Sequence, residues 1–423
     1  MIKLRMKDHH FTWVWVFFAV TRQEKKKTWL SKASLLELIF LISWTLCLNS
    51  CGYKWEKTSS RNTRDWGFSV QQTNDGGYII AGTTWPAGVG DVYLIKADIS
   101  GNRVWSTRFG GPDVDWGFSV EQTTDGGYII AGTTWPSGER YSDVYLIKTD
   151  AMGNKLWSKT LGGRKRDWGY SVQQTLDGGY IVVGKTDSTG AGNDDVYLIK
   201  ADGNGNRVWS KTFGGPGEDW GYSVRQTADG GYIIVGKTDS FGAGGGDIYL
   251  IKTDANGNQI WSRVLGGPGQ DWAKSVQQTA DGGYIIAGTT WRSGASDLYL
   301  VKTDLSGNEI WSRTFGGPYG DYGHSVQQTT SGDYIVTGYT RPFGDSGGSD
   351  VYLVKTDGDG NLAWSRTYGG DWFDYGNAVQ QTADGGYVIV GETTSFGNKD
   401  KEDIYLIKTN DSGDVLWSKT FGG

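Results

Sequence analysis

Two oxygen-rich pentapeptides are the first candidates for chemistry in this chain. Asp254-Ala255-Asn256-Gly257-Asn258 and Asp357-Gly358-Asp359-Gly360-Asn361 space their carboxylates and amides much as a calcium loop does. The glycine is fourth, however, where an EF-hand loop places it sixth, and no Glu closes the twelfth position. The same residues make hairpin turns, because Asp and Asn bond their own backbone and Gly accepts a positive φ. Turns without a metal are therefore expected. Acid–base chemistry would fall to histidine, and His324 is the only one after residue 10. It stands where other copies of its segment carry Phe68, Tyr170 or Tyr222, which reads as a packing or surface variant. Nothing points to a Ser-His-Asp set around it. Ligand recognition would fall to aromatic side chains in loops of variable length, Trp85, Trp135 and Trp291, with Arg341 and Trp372 where the copies depart from their common pattern.

Composition narrows the field. The chain has 423 residues, 14% of them aromatic, so its 67 Gly do not signal a polymer too polar to fold. Gly does not recur every third residue and Pro is scarce, which excludes collagen. Two Cys rule out a disulfide scaffold and, with three His, most zinc sites. The formal charge is −6, but residues 1–50 are net +5, leaving −11 on the remainder. A body of that sign repels phosphate backbones, so nucleic acid is not an expected partner.

The amino terminus reads as an export leader. Lys25, Lys26, Lys27 and Lys32 precede an apolar run from Leu35 to Leu48, short for a membrane span and suited to a signal-peptide core. The run ends in Leu48-Asn49-Ser50-Cys51, which resembles a bacterial lipobox. That resemblance implies acylation of Cys51 as the first mature residue. An uncleaved anchor helix is the alternative. Phe11–Val20 forms a second apolar patch upstream, compatible with a true start near Lys25.

Repetition decides the fold. An Asp-aromatic pair recurs at Asp65, Asp115, Asp167, Asp219, Asp271, Asp321 and Asp374, in steps of 50 to 53 residues. Each copy holds four strand-like runs. In the fourth copy these are Tyr222–Thr227, Tyr232–Lys237, Ile248–Thr253 and Gln259–Leu265. Asp229-Gly230-Gly231 supplies a tight turn between the first two, and Asp254 to Asn258 another between the last two. Runs two and three are almost continuously apolar and need cover on both faces. Four strands in about 50 residues, stacked around an axis, describe an all-β, seven-bladed β-propeller of four-stranded antiparallel blades. No 3.6-residue apolar period follows residue 60, which excludes an α-solenoid. Trp105, Trp157, Trp209, Trp261, Trp311, Trp364 and Trp417 sit in the fourth runs, where packing between blades would use them. Trp55 imitates the same position before the first copy. Either its segment or that of Trp417 could close the ring.

The string Phe213-Gly214-Gly215, Asp219, Asp229-Gly230-Gly231-Tyr232, Asp247, Gly257-Asn258 and Trp261-Ser262 resembles the SBBP-type bacterial β-propeller repeat over residues 64–423. Its Asp, Gly and Trp order is also similar to the tryptophan docking motif of quinoprotein-like propellers. The resemblance implies an exported or surface ring and no characterised activity. A quinoprotein dehydrogenase would need cofactor ligands that break the symmetry, and often a haem or a vicinal disulfide, and there is no Cys after Cys51. A sialidase-like Asp-box fails because Gly257 lies four residues before Trp261 rather than three.

The expectation is a leader over 1–51, a linker or latch over 52–63 and a propeller over 64–423. The chain would be exported and lipid-anchored, monomeric, without cofactor, and more a binding or scaffolding protein of the cell envelope than an enzyme. Its partner would be a protein or a glycan, met on the face of variable loops. There the spans from Gly82 to Asp91, Gly132 to Asp143 and Gly338 to Asp350 differ in length. An enzyme of quinoprotein or lyase type would instead show a polar pocket of unrepeated residues at the ring mouth.

Overall fold

The computed structural model describes residues 63–422, apart from 87, 136–139, 293, 343–346 and 398–400. Cys51, the apolar leader and the Trp55 segment lie outside the described residues. Each of the seven copies forms one four-stranded antiparallel sheet in simple up-and-down order, and no helix occurs among the described residues. Each sheet packs on the next, and the seventh packs on the first. This is the seven-bladed all-β propeller that the repeat period requires.

Blade four shows how the sequence makes a blade. Its strands are Asp219–Gln226, Tyr232–Thr238, Asp247–Thr253 and Gln259–Leu265. The first begins three residues earlier than its apolar pattern suggests, because a bulge lets pairing continue past it. Gly221 pairs with Gly236 and Ser223 with Val235, leaving Tyr222 as the extra residue. Gly236 is required there, since a Cβ would collide with the Trp220 carbonyl. At the first hairpin, the Thr227 amide donates to the Gly231 carbonyl at 2.9 Å and Gly230 has φ 82°. At the second, Asp254 accepts the amides of Asn256 and Asn258, and its other oxygen accepts the Asn258 side-chain amide. Asp357 is engaged in the same way by Asp359 and Asn361. The carboxylates of Asp254 and Asp357 thus accept hydrogen bonds from their own turns.

The core is distributed between blades. Ile233, Val235, Ile248 and Leu250 of blade four pack on Val276, Tyr284, Ile286, Tyr299 and Val301 of blade five. Outside this layer, the fourth-strand Trp of every blade meets the buried second-strand Tyr of the next, with ring centroids 5.7 to 6.1 Å apart. The same indole covers the positive-φ glycine of the next blade's second hairpin. A Cβ on Gly257 would stand 2.6 Å from the Trp209 ring. Trp417 makes this contact with Tyr78 and Gly101 of blade one. Its strand, Val415–Phe421, is the outer strand of blade seven, so the carboxy-terminal segment fills that place.

Charged residues fix the two faces. Lys96, Lys148, Lys200, Lys252, Lys302 and Lys408 are buried and each pairs with the hairpin Asp of its own blade, at 2.8 to 3.0 Å. Burial works against the Asp75 carboxylate, but the Thr73 hydroxyl, Lys96 and the Gly77 amide together hold its pKa at about 2. On the opposite face the seven strand-leading aspartates are buried. Those of blades two to seven accept the amide of the glycine four residues earlier, at 2.7 to 3.2 Å. Burial pushes Asp115 and Asp374 up to about 6, and the carboxylates of Asp91 and Asp350 beside them add to it.

Two outcomes test this account. Replacing Trp417 by Ala should lower the unfolding free energy by about 2–4 kcal/mol. Leu416→Ser on the exposed side of the same strand should change it by less than about 0.5 kcal/mol. Urea titrations of both variants check this. A carboxyl held above its ordinary pKa keeps a proton that the unfolded chain has released. Its contribution to stability therefore falls as pH rises from about 4 to about 6. The stability of the natural chain minus that of Asp374→Asn should drop by roughly 1–3 kcal/mol across that window and stay level above it.

Candidate functional site

Seven first strands line the axis, and their residues fall into layers. Furthest from the variable loops is a layer built around Gln71, Gln173, Gln277, Gln327 and Gln380, each accepting an amide of the following blade at 2.5 to 2.7 Å. Glu121 does the same at 2.8 Å, and Arg225 takes the seventh position. Two residues nearer the loops, Ser69, Ser119, Ser171, Ser223, Ser275 and Ser325 accept the amides of Val120, Val172, Val224, Val276, Val326 and Val379. Both layers tie neighbouring blades together, which is why they barely vary.

The bulge residues form the next layer, and here the symmetry breaks. Blades one to four supply Phe68, Phe118, Tyr170 and Tyr222, whose ring centroids follow one another at 5.3 to 5.4 Å. Blades five to seven supply Lys274, His324 and Asn377. Together the seven line a cavity of about 240 Å³. The Lys274 ammonium donates to His324 Nε2 at 3.2 Å. His324 Nδ1 faces two acceptors at 3.1 Å, the Gly376 carbonyl and Asn377 Oδ1. The Asn377 amide in turn donates to the Gly67 carbonyl of blade one at 2.9 Å. This network assigns the proton to Nδ1 and leaves His324 neutral. Burial and then the Lys274 charge hold its pKa well below the usual imidazole value. Burial also pulls Lys274 down to about 8, against the attraction of Glu392. Although the ring surrounds Lys274, its side chain is exposed to the lumen, and water there moderates that depression.

Above this layer lies an aromatic rim. Trp66 stacks on Trp116 at 5.5 Å, Trp116 on Phe118 at 5.9 Å, and Phe118 on Trp168 at 6.3 Å. Trp85 stands edge-on to Trp66 and Trp116, at 6.2 and 5.7 Å, and Trp135 to Trp168 at 5.3 Å. These two sequence candidates therefore join one arc over blades one to three. Trp291 leans on Trp272 in blade five at 6.3 Å and is 39% exposed. Arg341 lies over Tyr322 at 6.0 Å, where Tyr322, Tyr339 and Tyr375 cluster. Trp372 is 61% exposed, and its neighbour Phe373 stacks on Tyr375. In blades three and four Lys185 and Lys237 cover Trp220 at 3.9 and 4.8 Å, with Lys185 also paired to Asp194 at 2.9 Å.

Sequence reading missed Lys274 and Asn377 and placed His324 among packing or surface variants. The signal was present in the register, because all three lie three residues after the repeat Asp, as Phe68 does. They are unrepeated polar residues at the ring mouth, the feature set as the mark of the enzyme alternative. Among the described residues no three His, Cys, Asp or Glu side chains gather as a metal site would need.

The chain is 27% identical over 161 residues to the regulatory protein FlaEY of Caulobacter vibrioides, covering 33% of this chain and 17% of that protein. Puromycin hydrolase superposes with a TM-score of 0.54 at 15% identity, over 88% of this chain and 56% of that one. Sqt1 of Chaetomium thermophilum gives 0.48 at 11% identity, over 88% and 91%. At 15% identity the likeness to puromycin hydrolase extends to the fold alone. Residues 140–419 match the family described as outer membrane protein assembly factor BamB, and the chain belongs to that family of quinoprotein-type repeats.

Proposed function

We propose that this protein is an exported, lipid-anchored propeller that binds a protein partner at the cell envelope, as a scaffold rather than a catalyst. The observation that carries the reading is the aromatic arc of Trp66, Trp85, Trp116, Trp135 and Trp168 on the variable-loop face. Half-buried indoles on a rigid rim give large contact area at little cost in side-chain entropy, as binding surfaces require. The family description, an outer membrane assembly factor, supports a protein partner in the same compartment. The leader and the Leu48-Asn49-Ser50-Cys51 sequence support export and anchoring at Cys51, and the repeat string from Phe213 to Ser262 supports the SBBP-type assignment.

A glycan is the second reading, favoured by the open faces of Trp291 and Trp372. Crosslinking in cells followed by pull-down separates the two. Trp85→Ala with Trp135→Ala should remove the captured protein, with an affinity loss of roughly thirtyfold or more, while the strand signal in circular dichroism is kept. Recovery of the same partner at the same yield would refute the role of the arc. Binding on a glycan array that Trp291→Ala and Trp372→Ala abolish would favour sugar. For the anchor, Cys51→Ser should abolish incorporation of labelled fatty acid and move the mature protein from the membrane fraction to the soluble fraction. Absence of fatty-acid label on the natural chain, or equal label on Cys51→Ser, would refute lipidation at Cys51.

A further inference from the structure

The polar part of the bulge layer has a chemistry that its structural role does not require. In blades one to four the same position is filled by aromatic rings that touch one another. Lys274 instead brings a cation to the lumen, attracted by the Glu392 carboxylate but hydrogen-bonded to a neutral imidazole. One of its three protons is held by His324 Nε2 at 3.2 Å, which leaves two donors for the lumen. His324 cannot turn away, since its other nitrogen is engaged by Gly376 and Asn377. The ammonium is therefore hydrogen-bonded to a neutral acceptor, with the Glu392 carboxylate attracting it from outside the layer, and it faces an aromatic wall across the cavity.

We propose that the channel mouth is a binding site for a small organic carboxylate bearing one aromatic or apolar ring. The carboxylate would accept from Lys274 Nζ, and the ring would lie on Phe118 and Tyr170. The cavity of about 240 Å³ sets the size. A void of about 150 Å³ accommodates benzene, so this one holds a single ring with a short acidic arm and excludes a folded peptide. One cation beside a neutral imidazole suits a monoanion better than a phosphate dianion, which would leave charge unmatched in a half-enclosed site. The site lies one layer below the rim surface proposed for the protein partner and touches it through Phe118, which stacks on Trp116 and Trp168.

The test is calorimetric titration of the full chain with phenylacetate, 2-phenylethanol and phenethylamine as probes of equal body and different charge. Phenylacetate should bind at least tenfold more tightly than the alcohol, and the amine should not bind. Lys274→Met should cut phenylacetate affinity at least tenfold and leave the alcohol unaffected. Lys274→Tyr restores the residue type of blades three and four, so it keeps the fold secure and should lose phenylacetate equally. Phe118→Ala should weaken both acid and alcohol. No heat with phenylacetate, equal affinity for acid and alcohol, or unchanged binding in both Lys274 variants would overturn the proposal. Partner capture by the rim should survive Lys274→Tyr, so failure of one reading does not carry the other with it.

Discussion

The contact on which the ring depends is an indole laid on a turn that has no Cβ. Each fourth-strand Trp covers the hairpin glycine of the next blade and meets its buried Tyr edge-on or tilted, seven times in succession. A side chain at that glycine would push the indole away and open the joint. The glycine is doubly constrained, because its φ of 76° to 81° is one that only Gly adopts without strain. Between the described residues of blades seven and one the same joint recurs. Trp417 meets Tyr78 and Gly101 by the same geometry, and Asp65 and Gln72 of blade one donate their amides to Glu402 and Gln380 of blade seven. Seven equal joints thus turn a local packing rule into a closed ring.

The axis follows from a second constraint. First strands converge there, so their backbones must approach closely. A Cβ on Gly117 would stand 2.7 Å from Val92 and 2.8 Å from the Gly82 carbonyl of the preceding blade. The bulge next to that glycine adds one residue and turns its side chain into the lumen. Serine and glutamine layers bond neighbouring blades, so substitutions there would strand buried amides. Blades one to four place only aromatic rings in the bulge layer, which carries no such bond between blades one and four. It is the axial position where residue type can change without undoing a joint.

These two constraints explain what could be read in advance. The fold was legible because each structural role recurs seven times, so Gly257, Trp261 and Asp219 announce their positions by period alone. The start of each first strand was less legible, since the bulge at Tyr222 interrupts the apolar alternation and hides the pairing of Asp219 with Thr238. Trp85 and Trp135 were legible as aromatic residues in loops, but their joining through Trp116 and Trp168 depends on the curvature of the ring. The channel cluster was hidden for another reason. His324 looked solitary along the chain, while its partners Lys274 and Asn377 lie 50 and 53 residues away. Stacking the copies in register brings the three into one layer, where period alone had suggested a stray variant.

The cluster also shows how a repeating ring can acquire asymmetry. A lysine alone at the bulge position would bring an ammonium among aromatic rings with no acceptor beside it, which is costly in a half-enclosed site. His324 supplies the acceptor, but a free imidazole could present Nδ1 or Nε2, and only the tautomer with Nδ1 protonated accepts from Lys274. Asn377 and the Gly376 carbonyl select that tautomer, and the Gly67 carbonyl orients Asn377 by binding its amide nitrogen. Each member satisfies a need created by the previous one, so the three form one hydrogen-bonded unit and a single substitution leaves a polar group unmatched. The chain of donors runs one way around the axis and ends on backbone, where Gly67 needs no further partner. That ending is what lets the departure stop at three blades and leaves the aromatic wall of the other four intact.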